Sequence, residues 1–180
     1  MEAISRIIGL FFSMMVIGRS LAYNGLSVVF YMTFWTNVIA TASLVMGLAF
    51  KEEITLRRRA GAVAWISTFC GIILYWGYLY PIIQEPIDVS NIFRHGGLLP
   101  FLTVEVLSLK MPIYENAIGD TLAISCIYDF GLLVPLGLAG IPVYPGATFR
   151  DAKSWVLLVF GKGLIFLGHY LLQLLSRRIK

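Results

Sequence analysis

Charge is scarce in this chain: charged residues make up 13% of its 180 residues, whereas apolar residues make up 58%. Soluble domains carry about 25% charged residues. These proportions therefore exclude a soluble globular domain. The same counts exclude a disordered chain, because disordered segments are poor in the aliphatic and aromatic residues that are abundant here.

Cysteine and histidine are also rare, with two residues of each. Cys70 and Cys126 both fall in apolar segments, where we expect them to pack as small hydrophobic side chains. Two histidines without an H-E-x-x-H spacing do not predict a metal site. The chain also lacks the G-x-S-x-G, P-loop and G-x-G-x-x-G motifs. No metal and no cofactor is therefore predicted.

The abundant feature is the long apolar segment. A helix needs about 20 mainly apolar residues to span a bilayer, and six segments of about this length are separated by polar or proline-containing joins. They cover approximately residues 5–22, 27–50, 60–80, 93–110, 118–140 and 153–175. Short joins make neighbouring helices pack antiparallel. We predict an all-α polytopic membrane protein, with residues 1–180 forming one six-transmembrane-helix bundle.

The first apolar segment has a second interpretation, as a signal peptide. Arg6 would form its positively charged region, and Ala22 would lie near a cleavage site. Arg19 stands where a small residue would be preferred, and the next apolar segment follows almost immediately. Both features favour a first membrane span.

The basic residues lie beside apolar segments, as is typical of charges that orient a protein in a membrane. They do not form a basic face with exposed aromatic residues, so nucleic-acid binding is not expected. Lys and Arg at alternate joins predict that both termini lie in the cytoplasm. We expect the membrane to be that of the endoplasmic reticulum or the plasma membrane. The predicted cytoplasmic side holds Arg6, Lys51, Arg57, Arg58, Arg59, Lys110, Arg177, Arg178 and Lys180, and the other side holds Arg19, Arg94, Arg150 and Lys153.

Polar side chains within apolar segments are costly and mark candidate functional sites. Thr33 lies early in the second segment, and His95 lies at the start of the fourth. Even-numbered helices of an up-and-down bundle begin on the same side, so we expect both residues near the non-cytoplasmic leaflet. A threonine hydroxyl becomes a nucleophile when a base removes its proton, and histidine is the usual base. The pair is the minimum set for acyl transfer.

Three neighbours of this pair are candidates for substrate binding or for an oxyanion hole. Asn37 lies four residues after Thr33, on the same helical face, and is a candidate to orient the nucleophile or to donate to an oxyanion. Gly96 and Gly97 allow a ligand to approach the backbone closely. We also expect His95 to lie at a helix N-terminus, where the helix dipole keeps the imidazole neutral.

Each of these residues also has a structural interpretation. A threonine in a membrane helix commonly bonds to its own helix, and a histidine at the interface is often solvated. We expect Asp129 and Lys162 to form a structural ion pair between the fifth and sixth helices. Aromatic residues near segment ends, among them Tyr144, are typical of an interfacial belt. A non-enzymatic lipid-binding or regulatory membrane protein is therefore the alternative, in which Thr33 and His95 would not converge.

Several short stretches occur in the order seen in a known family. They are Tyr31-Met32-Thr33-Phe34, Tyr80-Pro81, His95-Gly96, Leu99-Pro100-Phe101 with Glu105, and Gly140-Ile141-Pro142-Val143-Tyr144-Pro145. In these stretches the chain resembles the androgen-induced gene 1-like family, although Met32 stands where the family tends to have leucine.

The resemblance implies a multi-pass membrane threonine hydrolase that cleaves fatty acid esters of hydroxy fatty acids. By matching motifs it implies Thr33 as the nucleophile and His95 as its histidine partner. The implied ligand is a fatty-acyl ester lipid.

Overall fold

The structure is a computed structural model that describes residues 2–50, 52–84, 87–108 and 116–177. Within these ranges the chain forms helices and no strand. Helix α1 (Glu2–Asn24) continues through a 3₁₀ turn (Gly25–Phe30) into α2 (Met32–Ala49), and α3 (Ile54–Leu74) continues through a π turn (Tyr75–Leu79) into α4 (Tyr80–Ile83).

The second half of the chain is built from shorter helical pieces and one long final helix. Helix α5 (Val89–Ile92) runs through a π turn (Phe93–Gly97) and is followed by α6 (Leu99–Ser108). Helix α7 (Ala117–Tyr128) leads through a π turn (Asp129–Leu133) to α8 (Val134–Leu138). A loop over residues 139–151 then precedes α9 (Ala152–Arg177).

Five helical stretches are long and apolar enough to cross a membrane. They are Ala3–Phe30, Met32–Ala49, Ile54–Ile83, Ala117–Leu138 and Ala152–Arg177. The prediction of an all-α polytopic membrane protein is therefore confirmed. The fourth predicted segment, 93–110, is interrupted because the backbone at Gly96 leaves helical geometry, and its last two residues lie outside the described ranges. The count of six spans stays a prediction.

Helix α3 lies at the centre of the bundle and packs against α2, α6, α7 and α9. Small residues such as Ala62 and Ala64 are almost fully buried on it and let neighbouring helices approach closely. Large apolar side chains point outward instead, for example Phe11 on α1 and Val156 on α9, each about two-thirds exposed. Such a surface is unfavourable in water but matches the apolar interior of a bilayer.

Two of the arginines that we counted on the predicted cytoplasmic side are buried. The guanidinium groups of Arg6 and Arg57 both contact the carboxylate of Glu105, which is 2% exposed. A charge inside a membrane bundle is stable only beside an opposite charge, and this pairing explains their burial. Burial does not test on which side of the membrane Arg6 and Arg57 lie, so their place on the cytoplasmic side stays a prediction. Four other basic residues that we counted on the cytoplasmic side lie outside the described ranges. They are Lys51, Lys110, Arg178 and Lys180.

Helix α1 is tied to the bundle by polar contacts. The Ser13 hydroxyl bonds to the Thr41 hydroxyl on α2, and Arg6 bonds to Glu105 on α6. These contacts are those expected of a helix that belongs to the bundle.

The predicted ion pair between Asp129 and Lys162 is confirmed. The Lys162 ammonium donates to the Asp129 carboxylate, and it also donates to the Ser125 hydroxyl at 2.5 Å. The contact links α9 to α7 and to the π turn that follows it. The structural role of this pair stays a prediction.

Candidate active site

Thr33 and His95 lie side by side. Thr33 is the second residue of α2, and His95 lies in the π turn after α5. The Thr33 Oγ1 and His95 Nδ1 atoms are 3.4 Å apart. This distance is longer than an ideal hydrogen bond, as is common in ligand-free active sites, where such contacts shorten when substrate binds. The structure thus brings together the two residues that the sequence paired.

The imidazole of His95 is buried and held by an aromatic neighbour. The Tyr75 ring stacks on it, with 3.2 Å between ring centroids and 3° between ring planes. The Tyr75 hydroxyl accepts a hydrogen bond of 2.8 Å from the Asn91 side chain. These contacts fix the ring plane so that Nδ1 faces Thr33. For Nδ1 to accept the threonine proton, the imidazole proton must be on Nε2.

The expected position of His95 at a helix N-terminus was wrong. The helical stretch begins at Val89, because the Asp88 carboxylate accepts a 2.6 Å hydrogen bond from the backbone N–H of Asn91 and caps the helix. His95 therefore lies in the last turn before the break at Gly96. The helix dipole has the opposite sign there, so it does not favour a neutral imidazole as we had expected.

Asn37 holds the two catalytic candidates together through the backbone. Its side-chain amide donates to the carbonyl oxygen of Thr33 at 2.8 Å and to that of Arg94 at 3.0 Å. Both amide hydrogens are thereby used. This geometry favours the positioning role of Asn37 over donation to an oxyanion.

The space beside Gly96 and Gly97 is occupied mainly by side chains of the protein. A Cβ atom at Gly96 would lie 3.2 Å from the Ile72 side chain, and one at Gly97 would lie 2.4 Å from the Phe93 ring. The two glycines therefore let the broken helix pack against α3 and against its own preceding turn. Of the two, Gly96 also faces a small void of about 10 Å³ next to Thr33 and His95.

A cavity of about 500 Å³ opens beside the pair, and we call it the His95 cavity. Its walls come from α1, the first turns of α2, the π turn after α3, the His95 turn and the loop before α9. They include Val16, Ile17, Thr33, Asn37, Tyr75, Arg94, His95 and Tyr144. Asn24, Pro142 and Pro145 at its rim are exposed. The volume is typical of small-molecule sites.

Tyr144 is a part of the site that the sequence analysis assigned only to an interfacial belt. Its hydroxyl accepts a 2.6 Å hydrogen bond from the backbone N–H of Met32, the residue before Thr33. Burial raises the pKa of Tyr144 to about 12, so the hydroxyl stays protonated. The Tyr128 hydroxyl donates to the carbonyl of Phe30 at 2.6 Å. Two tyrosines therefore hold the start of the helix that carries Thr33.

Comparisons with protein-family models, with curated proteins and with solved structures found no match. Fold and site together define an all-α multi-pass membrane protein with a threonine–histidine pair on the wall of a cavity of about 500 Å³.

Proposed function

We propose that the protein is an intramembrane lipid ester hydrolase in which Thr33 is the nucleophile and His95 the general base. The observation that carries this proposal is the 3.4 Å approach of Thr33 Oγ1 to His95 Nδ1 on the wall of the His95 cavity. A hydroxyl next to a nitrogen base, facing a space large enough for a ligand, is the arrangement that nucleophilic catalysis requires.

In the first half of the reaction, the Thr33 oxygen attacks the ester carbonyl carbon while its proton moves to His95 Nδ1. The tetrahedral intermediate then collapses, the bond to the alcohol oxygen breaks, and His95 returns the proton to that oxygen. The products of this half are an acyl-threonine ester and a free alcohol.

In the second half, His95 takes a proton from water, and the hydroxide attacks the acyl-threonine. The bond to Thr33 Oγ1 breaks, the threonine recovers its proton from His95, and a fatty acid leaves. The exposed rim formed by Asn24, Pro142 and Pro145 gives water a route to this site.

The first turn of α2 is suited to stabilise the negative charge of the intermediate. The N–H groups of a first helical turn have no hydrogen-bond partner within the helix, and the positive end of the helix dipole favours an anion. The Met32 N–H donates to Tyr144, and the Phe34 N–H donates to the Tyr31 carbonyl. The N–H of Thr33 itself is the proposed oxyanion donor in this turn.

The proposed substrates are fatty acid esters of hydroxy fatty acids. Support comes from the resemblance to the androgen-induced gene 1-like family and from the convergence of its matching stretches: Tyr31, Thr33, His95 and residues 142–145 all line the His95 cavity. Burying an acyl chain contributes about 0.8 kcal/mol per CH₂ group, so KM should depend strongly on chain length.

The proposed membrane is that of the endoplasmic reticulum or the plasma membrane, with both termini in the cytoplasm. The start of α2 and the loop before α9 then both face the non-cytoplasmic side, and the His95 cavity opens there. A thiol-reactive, membrane-impermeant label on a cysteine placed at exposed Pro142 should react only from that side.

A fluorophosphonate probe tests the catalytic assignment on the full chain in detergent. The native protein and Thr33→Ser should be labelled, and Thr33→Ala should not. His95→Ala should slow labelling by roughly 10²-fold or more, because the base is lost. Thr55→Ala, a change at an exposed residue of α3, is the matched control and should label like the native protein.

Two outcomes would contradict the assignment. Labelling that persists in Thr33→Ala would place the nucleophile elsewhere. A native protein that binds the lipid but shows neither labelling nor turnover would be a non-enzymatic lipid-binding protein.

A further inference from the structure

A second cavity is also lined by Thr33. Its volume is about 100 Å³, and it runs between α3, α7 and α9, so we call it the α9 cavity. Thr33, Tyr75, Leu79 and Tyr144 line both cavities. The proposed nucleophile therefore stands at the junction of two separate spaces.

The α9 cavity is long and narrow. Its lining on α9 extends from Ser154 to Ile165, a distance of about 16 Å at 1.5 Å per residue. An extended, unbranched chain matches this elongated lining better than a compact, bulky group does. Leu74, Phe149, Leu157 and Leu158 supply apolar wall surface along it.

Three of the polar side chains on this wall, Asp129, Thr121 and Ser154, are bonded within the protein. The carboxylate of Asp129 is paired with Lys162, the Thr121 hydroxyl donates to the Ala117 carbonyl at 2.7 Å, and the Ser154 hydroxyl donates to the Gly146 carbonyl at 2.8 Å. Polar groups that are already bonded leave an apolar ligand as the favoured occupant.

We propose that the α9 cavity holds the acyl chain of the ester and that the His95 cavity holds its alcohol half. This assignment rests on the proposed hydrolase function. His95 must return a proton to the leaving alcohol oxygen, so the alcohol has to lie on the side of Thr33 where His95 is. Of these two cavities, His95 lines the one named after it and not the α9 cavity.

The polar lining of the two cavities agrees with this assignment. Ser20, Asn24 and Arg94 line the His95 cavity, which suits the carboxylate of a hydroxy fatty acid. That cavity also opens at a rim of exposed residues. The alcohol can leave through this opening before water enters. The saturated acyl chain carries no polar group beyond the ester and suits the α9 cavity.

Gly161→Leu tests the acyl assignment. Gly161 lines the α9 cavity, and the nearest atom to a Cβ placed there is 4.0 Å away, so a leucine fits the backbone but fills the space. Gly163→Leu is the matched control, because Gly163 lies on the same helix, is exposed and has no atom within 4 Å of such a Cβ.

The readout is kcat/KM for two series of esters, one with acyl chains of increasing length and one with alcohol chains of increasing length. Gly161→Leu should lower kcat/KM for long acyl chains by at least about tenfold and leave acetyl esters and the alcohol series within about twofold. Equal losses for short and long acyl chains, or a loss confined to the alcohol series, would overturn the assignment.

A second measurement does not depend on turnover. Thr33→Ala is mixed with intact esters that carry a photoreactive diazirine at the end of either chain, and the cross-linked residues are identified by mass spectrometry. The acyl-end probe should label α9 between residues 154 and 165, and the alcohol-end probe should label α1. The reverse pattern would overturn the assignment. The acyl-end probe could label α9 while the native protein shows no turnover. That result would overturn the hydrolase function but support the acyl chain's position in the α9 cavity.

Discussion

The Tyr144 hydroxyl accepts a hydrogen bond from the backbone N–H of Met32, and the two atoms are 2.6 Å apart. Tyr144 belongs to the loop before α9, whereas Met32 begins α2 and precedes Thr33. The contact therefore joins two parts of the chain more than 100 residues apart at the proposed nucleophile. The loop is a structural support for the proposed nucleophile Thr33 as well as a wall of the cavity.

Tyr144→Phe should reduce turnover more than it reduces stability. The change leaves the Met32 N–H without its acceptor, at a cost of about 1–3 kcal/mol, and frees the turn that orients Thr33. Small displacements of a nucleophile lower rates by up to about 10²-fold, so we expect kcat to fall by tenfold or more in an ester hydrolysis assay. Tyr170→Phe, at an exposed tyrosine of α9, is the control and should keep native kcat. Native kcat in Tyr144→Phe would show that the contact does not position Thr33.

Asn37→Asp should slow the reaction while preserving the shape of the side chain. An aspartate cannot donate to the Thr33 and Arg94 carbonyls, so the link between α2 and the His95 turn is lost. We expect the rate of fluorophosphonate labelling to fall about tenfold or more. Asn116→Asp makes the same chemical change at an exposed position before α7 and should label at the native rate. Equal labelling rates in both variants would show that Asn37 does not position Thr33 and His95.

The pairing of Thr33 with His95 could be predicted from the sequence, because both residues begin even-numbered segments and therefore lie at the same end of the bundle. The position of Tyr144 could not be predicted in this way, since it depends on how a loop folds back across the bundle. Its only signal was the Pro142-Val143-Tyr144-Pro145 stretch within the family resemblance.

Burial of charge was the second feature that the sequence pattern did not indicate. Arg6 and Arg57 lie near segment ends, where arginines usually face the membrane surface. Glu105 lies ten residues after His95, and only the packing of α6 against α1 and α3 brings its carboxylate to both guanidinium groups. Such long-range pairing has no local periodicity that a sequence pattern can reveal.

The start of α9 should contribute stability that depends on pH. Hydrogen bonds from the backbone N–H and the hydroxyl of Ser154, each 2.9 Å, lower the pKa of Asp151 below its ordinary value near 3.8. Because the folded pKa is lower than the unfolded one, this contribution is complete above about pH 4 and is lost as the pH falls through the folded pKa. Asp151→Asn should therefore lose less stability than the native protein between pH 5 and pH 3 in thermal unfolding scans. Parallel curves for the two proteins would contradict this capping role.

Glu105→Gln should destabilise the protein far more than a matched change at the surface. The neutral glutamine removes the carboxylate charge that both guanidinium groups contact, and losing one member of a buried charge cluster in this way costs about 3–5 kcal/mol. Asp120→Asn is the control, because its partner Arg59 is half-exposed and such surface pairs contribute at most about 1 kcal/mol. Thermal unfolding in detergent should therefore show a much larger fall in Tm for Glu105→Gln than for Asp120→Asn. Similar Tm values for the two variants would show that the Arg6–Glu105–Arg57 cluster does not stabilise the packing of α1, α3 and α6.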